Sequence, residues 1–223
     1  MQGSNAKHGR ALRRLAALAL AWPCACFAIG FVPPDMVEPR APTPAAEFDA
    51  VFQRVVGPAS LETSTPDYER ELDRLRALLP AVDAVREVRF RSVDCGSTRW
   101  KDVARGLAYS ERALQAARDN GDRASQARAL VCRSSFMMLR DGSRHALPDL
   151  DRALDVLKGQ NEPQLEGEIL VLRADLLSLI GDQAQAMLDF QRARAAFRDS
   201  GLDHEVEPLL QGMATTYRRM GAS

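Results

Sequence analysis

The sequence has few aromatic residues, no excess of either charge and few cysteines, and each shortage excludes a class of protein. Its 223 residues are 6% aromatic and include only 14 glycines, which disfavours a strand-rich barrel because strands favour aromatic side chains. Basic and acidic residues both number 30, so the chain lacks the basic excess typical of nucleic-acid binders. Four cysteines are too few for a disulfide-rich scaffold.

Motifs for catalysis, phosphate binding and metal binding are also missing. The three histidines, His8, His145 and His204, are isolated from one another, whereas metal sites need ligands at short, regular spacings. No phosphate-binding glycine loop, dinucleotide fingerprint or nucleophile elbow occurs. The acidic residues alternate with arginines at helical spacing, which is typical of solvated ion pairs. We therefore expect no catalytic residue, no metal site and no cofactor, and we expect that the protein is not an enzyme.

Residues 1–32 have the pattern of an export signal. A basic start precedes an uncharged apolar run from Leu15 to Val32, which contains a small-residue cleavage site at Ala28-Ile29-Gly30. The same run would span about 27 Å as a helix, so an uncleaved membrane anchor is the alternative. Both interpretations predict a periplasmic or cell-envelope protein that meets the membrane only through this segment. The basic residues of this start are Lys7, Arg10, Arg13 and Arg14. Without them, the rest of the chain has four more acidic than basic residues.

Residues 33–65 are predicted to be a proline-rich linker, because prolines interrupt regular structure throughout this range. One short amphipathic helix is expected inside it, and this helix could cover the open end of the helical region that follows. Its apolar side chains recur at the spacing of one helix face, and they are Phe48, Val51, Phe52 and Val55.

Residues 66–223 are predicted to be all-α, with a pattern that repeats every forty residues. Helical segments are expected at 66–79, 81–93, 100–118, 123–140, 144–158, 164–180, 183–199 and 203–220. The recurring positions are large Leu130, Leu170 and Leu210, small Ser134, Ala174 and Ala214, and large Met137, Leu177 and Tyr217. Two helices per repeat predict an α-solenoid of stacked antiparallel hairpins, because one hairpin cannot bury its own apolar stripe.

These positions resemble the tetratricopeptide repeat. The best copy reads Leu170, Ala174, Leu177, Gly181, Ala186, Phe190 and Ala193; the copy before it reads Leu130, Ser134, Met137, Ala146, Leu150 and Ala153; the last reads Leu210, Met213, Ala214, Tyr217 and Gly221. The forty-residue period exceeds the thirty-four residues usual for that family, and its terminal proline is missing. Residues 66–120 look like a degenerate copy, whose register in 81–121 stays open.

Two arginines occupy a position where the repeat usually has an apolar side chain. Each is followed sixteen residues later by an acid, giving Arg133 with Asp149 and Arg173 with Asp189. We interpret them as ion pairs that join the two helices of one hairpin, since a guanidinium–carboxylate pair suits a half-buried seam. A ligand site for an anion is the alternative.

Cys95 and Cys132 are separated by 37 residues, close to one repeat, so the two side chains could face each other from neighbouring hairpins. A disulfide is one interpretation, because an oxidising periplasm favours it. The other is that Cys132 is a small core residue.

The first helices of stacked hairpins line a concave face, and three side chains from each are expected to point into that groove. They are Arg128, Val131 and Ser135, then Glu168, Val171 and Asp175, then Gln211, Thr215 and Arg218, flanked by Arg219. This polar and small apolar mixture predicts a protein or peptide partner. It does not resemble a basic clamp for nucleic acid.

The last repeat is incomplete, since no second helix follows its first. An uncapped repeat exposes apolar surface, so we expect a covering subunit, self-association or a longer parent protein. Exported repeats of this kind resemble the periplasmic sensory regions of membrane-bound diguanylate cyclases and histidine kinases. Three functional hypotheses therefore stand. The first is a free-standing scaffold, and the second is a sensory region without its membrane span and catalytic domain. The third is a small enzyme without a recognisable motif, which predicts a deep polar pocket with perturbed ionisable groups.

Overall fold

A computed structural model describes residues 41–57, 65–95, 102–202 and 205–221. Within these ranges all regular structure is helical, which confirms the all-α prediction. Residues Pro42–Ser223 form one compact unit. The predicted export signal and much of the predicted linker lie outside the described residues.

The described ranges contain nine α-helices and one short 3-10 helix at Leu79–Ala81. The α-helices are α1 (Pro44–Val56), α2 (Thr65–Leu78), α3 (Ala84–Asp94), α4 (Val103–Asp119), α5 (Arg123–Asp141), α6 (Ser143–Leu157), α7 (Pro163–Ile180), α8 (Gln183–Asp199) and α9 (Val206–Gly221).

Local sequence signals explain where several helices begin and end. Asp122 and Asp182 precede α5 and α8, and each side chain accepts a hydrogen bond from a first-turn N–H group. Such caps satisfy donors that the helix cannot satisfy itself. Gly181 ends α7 at φ +92°, a left-handed conformation that favours glycine.

From α4 to α9, helices that are consecutive in the chain pack against each other. Small residues forty positions apart, Ala113, Ala153 and Ala193, are buried in one continuous apolar core. Close helix approach needs small side chains at such positions. The predicted forty-residue recurrence therefore appears as recurring burial in α4, α6 and α8. The stacking of these hairpins into a solenoid stays a prediction.

Helix α1 is part of the packed helical unit. It forms a second apolar cluster with α2 and α3, in which the buried side chains are Phe48, Val51, Phe52, Val55, Leu72, Leu75, Phe90 and Val93. The predicted amphipathic helix is therefore present. The packed helical unit includes this helix, however, and does not begin at Pro66 as predicted. Apolar burial joins α1 to the helices that follow it, whereas a linker would leave these side chains in water.

The register predicted for α9 is wrong by one residue. Leu210 and Tyr217, expected to be buried, are 46% and 58% exposed, and Ala214 is exposed too. Leu209 and Thr216 are buried instead. A Cβ atom at Gly212 would lie only 2.9 Å from the Phe190 ring, so this glycine lets α9 approach α8 with a different face.

Candidate functional site

Arg128, expected in an open groove, lies under α1. The Phe52 ring of α1 is 5.9 Å from the guanidinium carbon of Arg128, and only 16% of the Arg128 side chain is exposed. Burial lowers the pKa of Arg128, although nearby carboxylates oppose this effect. A desolvated guanidinium loses hydration that its neighbours must replace.

Glu168, expected in the same groove, is also enclosed. Burial raises the pKa of the Glu168 carboxyl, while a hydrogen bond from Gln164 and the charge of Arg128 oppose the rise. Tyr68 of α2 lies close enough for the charge of Glu168 to contribute to its pKa, which burial raises to about 12. The Tyr68 hydroxyl donates a hydrogen bond to the Val93 carbonyl oxygen, 3.2 Å away.

Helix α1 therefore contacts the N-terminal part of α5. It also contacts the start of α7, because Gln164 Nε2 of α7 donates to the Val56 carbonyl oxygen of α1 at 3.1 Å. The interpretation of Arg128 and Glu168 as open groove residues does not hold. The reason is that Phe52 and Val56 of α1 contact Arg128 and Gln164, which places α1 against part of the predicted groove.

The remaining predicted groove residues are more accessible. Ser135 of α5 and Asp175 of α7 are exposed, as are Gln211, Arg218 and Arg219 of α9, while Thr215 is half-buried. The spacing along each helix continues the same faces to Leu139 and Leu179, which are 64% and 60% exposed. Each of α5 and α7 thus has one face that is partly buried towards the start of the helix and exposed towards its end.

A hydrogen-bond network attaches α9 to α7 beside this exposed end. Ser178 Oγ accepts from Arg219 Nη1 at 2.9 Å and from Thr216 Oγ1 at 3.2 Å. The same hydroxyl donates to Gln183 Oε1 at 3.0 Å. Buried hydroxyls need such partners, so this network positions Arg219 close to the exposed face of α7.

Both predicted Arg–Asp pairs are formed. Arg133 donates to Asp149 through two guanidinium nitrogens, with Nε 2.8 Å from Oδ2. Arg173 contacts both oxygens of Asp189 at 2.7 and 2.8 Å, and these hydrogen bonds raise the pKa of Arg173. Each pair joins the helices of one hairpin, α5 to α6 and α7 to α8.

Cys95 and Cys132 form a disulfide, with their Cα atoms 6.1 Å apart. The bond joins the end of α3 to α5. It therefore attaches the N-terminal helices to the repeated region covalently.

The sequence interpretation did not identify a cavity of about 590 Å³ beside Arg128. The cavity lies between the end of α1, the start of α3 and the turns that precede α5 and α7. Its walls include Arg89, Asp122, Arg128 and Glu162. No sequence motif joins these residues, which come from α3, α5 and the turns before α5 and α7.

The described part of the chain shows no group of three or more His, Cys, Asp or Glu side chains that could hold a metal ion. None of the described helices has the length and apolar character needed to cross a membrane. No protein-family model matches the sequence, and no curated protein is similar to it at a significant level. The geometry therefore shows the fold class, an all-α protein of packed helices, and the comparisons show no family.

Proposed function

We propose that this chain is a non-catalytic helical-repeat module that binds a protein or peptide on the exposed end of α5 and α7. One observation carries the proposal: exposed leucines occupy equivalent positions on two helices, Leu139 and Leu179, beside the polar side chains of Ser135 and Asp175. Apolar side chains rimmed by polar ones are typical of surfaces that bind partners.

Arg218 and Arg219 of α9 favour a partner with some acidic character. Both side chains are exposed, and Arg219 contributes to the electrostatics of Asp175, whose pKa it lowers against the rise caused by desolvation. Charged residues at the rim of an interface mainly set association rate and specificity. The leucines would therefore supply contact area, and the arginines would orient the partner.

The proposal includes export, because a disulfide between Cys95 and Cys132 is typical of proteins in oxidising compartments. The periplasm or cell envelope is the compartment that the basic and apolar start predicts. We propose no role for nucleic acid, and membrane contact only through the N-terminal segment.

A sensory region of a diguanylate cyclase or histidine kinase is the second candidate function. The cavity between α1, α3, α5 and α7 favours it, because sensory regions need a place for a ligand. Nucleotide sequence downstream of this chain tests it directly. A membrane span and a catalytic domain in the same reading frame would support the sensory region, and a stop codon would exclude it.

Site-specific photocrosslinking tests the binding face. A benzoylphenylalanine at position 179 should cross-link to one defined protein in native cells, whereas the same probe at Leu188 should not. Leu188 is a matched control because it is a leucine of similar exposure, 53%, on α8. Equal cross-linking from both positions, or none from position 179, would contradict the proposal.

A further inference from the structure

The cavity near Arg128 has the size of a site for a small molecule. Its volume of about 590 Å³ falls within the range of small-ligand pockets. Phe52 and Val56 of α1 contribute apolar wall, and the turn from Asn120 to Ser125 contributes polar wall. This site is separate from the proposed protein-binding face and does not depend on it.

Arg128 brings unfilled hydrogen-bond donors to this cavity. Within the described ranges, no acceptor forms a hydrogen bond with its guanidinium, and the carboxylate of Glu162 stays 4.0 Å away. That separation exceeds a hydrogen bond. A guanidinium has five N–H donors, and those of Arg128 stay accessible to solvent, since Arg194 Nε is the only fully buried side-chain donor without a partner among the described residues. A ligand oxyanion would supply the missing acceptors.

Arg89 adds a second guanidinium with the same property. Its nitrogens lie 3.6 Å from Asp122 and 3.9 Å from Asp49, again too far for hydrogen bonds. The carboxylate of Asp122 already accepts hydrogen bonds from the backbone N–H and the hydroxyl of Ser125, both at 2.9 Å. The charge of Arg89 also acts on Arg128 as a like-charge repulsion, which an anion between the two would relieve.

The charges on the cavity wall decide which anion fits. Arg89, Arg123 and Arg128 lie in the lining with Asp122 and Glu162. Asp49 lies 3.9 Å from Arg89, and the charge of Glu168 acts on Arg128, so carboxylates already balance the arginines. A dianion or polyphosphate would therefore meet strong repulsion. A single carboxylate meets less repulsion and matches the planar guanidinium fork.

We propose that this cavity binds a small organic monocarboxylate, held by the guanidinium groups of Arg89 and Arg128. Phe52 and Val56 would contact the apolar part of the ligand. Because α1 contributes these contacts and the cavity also borders α3, α5 and the turn before α7, the ligand would stabilise the position of α1 on these helices.

Acetate is the probe, titrated into the full-length chain at constant ionic strength, with the arginine side-chain Nε–H resonances as the readout. We expect a saturable shift at Arg128 with a Kd of about 1 to 10 mM. The resonance of Arg105, whose side chain is 82% exposed on α4, should not saturate. No saturation at Arg128 up to about 100 mM acetate would overturn the proposal.

Variants and a second anion complete the test. Arg128→Lys and Arg89→Gln should each weaken acetate binding at least about tenfold, while Arg105→Gln should leave it unchanged. If Arg128→Lys does not fold, Arg89→Gln decides alone, because its side chain is partly exposed and packs less. Unchanged affinity in Arg89→Gln would overturn the proposal. Inorganic phosphate binding as tightly as acetate would also overturn the assignment to a carboxylate.

Discussion

Helices α5–α8 and helices α1–α3 are held together by different contacts. In α5–α8 the same ion pair recurs after forty residues, Arg133 with Asp149 and Arg173 with Asp189. Asp189 is fully buried and the Arg173 side chain is 14% exposed. In a buried seam each charge needs its partner, so the pair can be recognised from its repeated spacing.

Ion pairs in α1–α3 follow no common spacing, and most are more exposed, although Arg76 pairs with the buried Asp94. Arg54 pairs with Glu71 at 3.0 Å and Arg74 with Glu47 at 2.8 Å, and both arginine side chains are about half exposed. Exposed pairs contribute little to stability. Apolar burial around Phe48 and the disulfide also hold the N-terminal helices together, and neither follows the forty-residue recurrence of the ion pairs in α5–α8.

Removing the disulfide should lower the stability of the protein more than any other change proposed for these two regions. Replacing Cys95 and Cys132 by Ala should lower the free energy of unfolding by about 4 kcal/mol, because the bond constrains 37 residues of the unfolded chain. Denaturant unfolding followed by circular dichroism measures the loss. Reduced wild-type protein is the control and should match the double variant. Two thiols that alkylate without reductant would contradict the disulfide itself.

Breaking one buried ion pair should have the next largest effect. Arg173→Ala leaves the buried Asp189 carboxylate without its main partner and should cost about 3 kcal/mol. Arg192→Ala is the matched control, since Arg192 is half exposed and lies 4.0 Å from the same carboxylate; it should change stability by less than about 0.5 kcal/mol. A thermal midpoint that falls by less than about one degree in Arg173→Ala would rule out a stabilising buried pair.

Replacing a glycine that packs against an aromatic ring should have a smaller effect on stability. A Cβ at Gly167 of α7 would lie 2.6 Å from the Phe197 ring of α8. Gly167→Ala should cost about 1 kcal/mol net, because overpacking outweighs the higher helix propensity of Ala. Adding Phe197→Leu should recover part of that loss, so the two changes should not be additive. Strict additivity in chemical denaturation would contradict the close contact.

The smallest effect concerns the partly buried carboxyl of Glu168. Because burial raises the pKa of Glu168, its ionised form destabilises the fold, and the stability linked to this group is lost as pH rises through the folded pKa. Glu168→Gln should therefore be more stable than wild type at pH 7, with the difference vanishing below the ordinary carboxyl pKa. Thermal melts across pH measure this. Glu166→Gln, at an exposed position, should show no such trend, and the same trend in both variants would contradict burial as the cause.

The all-α fold and the positions of most helices could be predicted from periodicity and turn residues. The recurring burial of Ala113, Ala153 and Ala193 follows from the same periodicity. The register of α9 could not be predicted, because Gly212 changes which face meets Phe190, and helical periodicity does not indicate how closely two helices approach.

The candidate site could be predicted only in part. Positions such as Ser135 and Asp175 are exposed on α5 and α7, whereas Arg128 and Glu168, at equivalent helix positions, are partly buried. Their burial depends on where a separate segment packs, and that packing comes from long-range apolar contacts. The cavity beside Arg128 depends on the same contacts and has no local signature.

The central claim is that α1 covers the face of α5 that contains Arg128. Solvent paramagnetic relaxation enhancement of arginine Nε–H groups, with a soluble gadolinium chelate, measures this most directly. The account predicts an enhancement at Arg128 severalfold smaller than at the exposed Arg218. It also predicts that Phe52→Ala, which removes the ring beside Arg128, raises the value at Arg128. Equal enhancement at Arg128 and Arg218 in the unaltered chain would contradict the account.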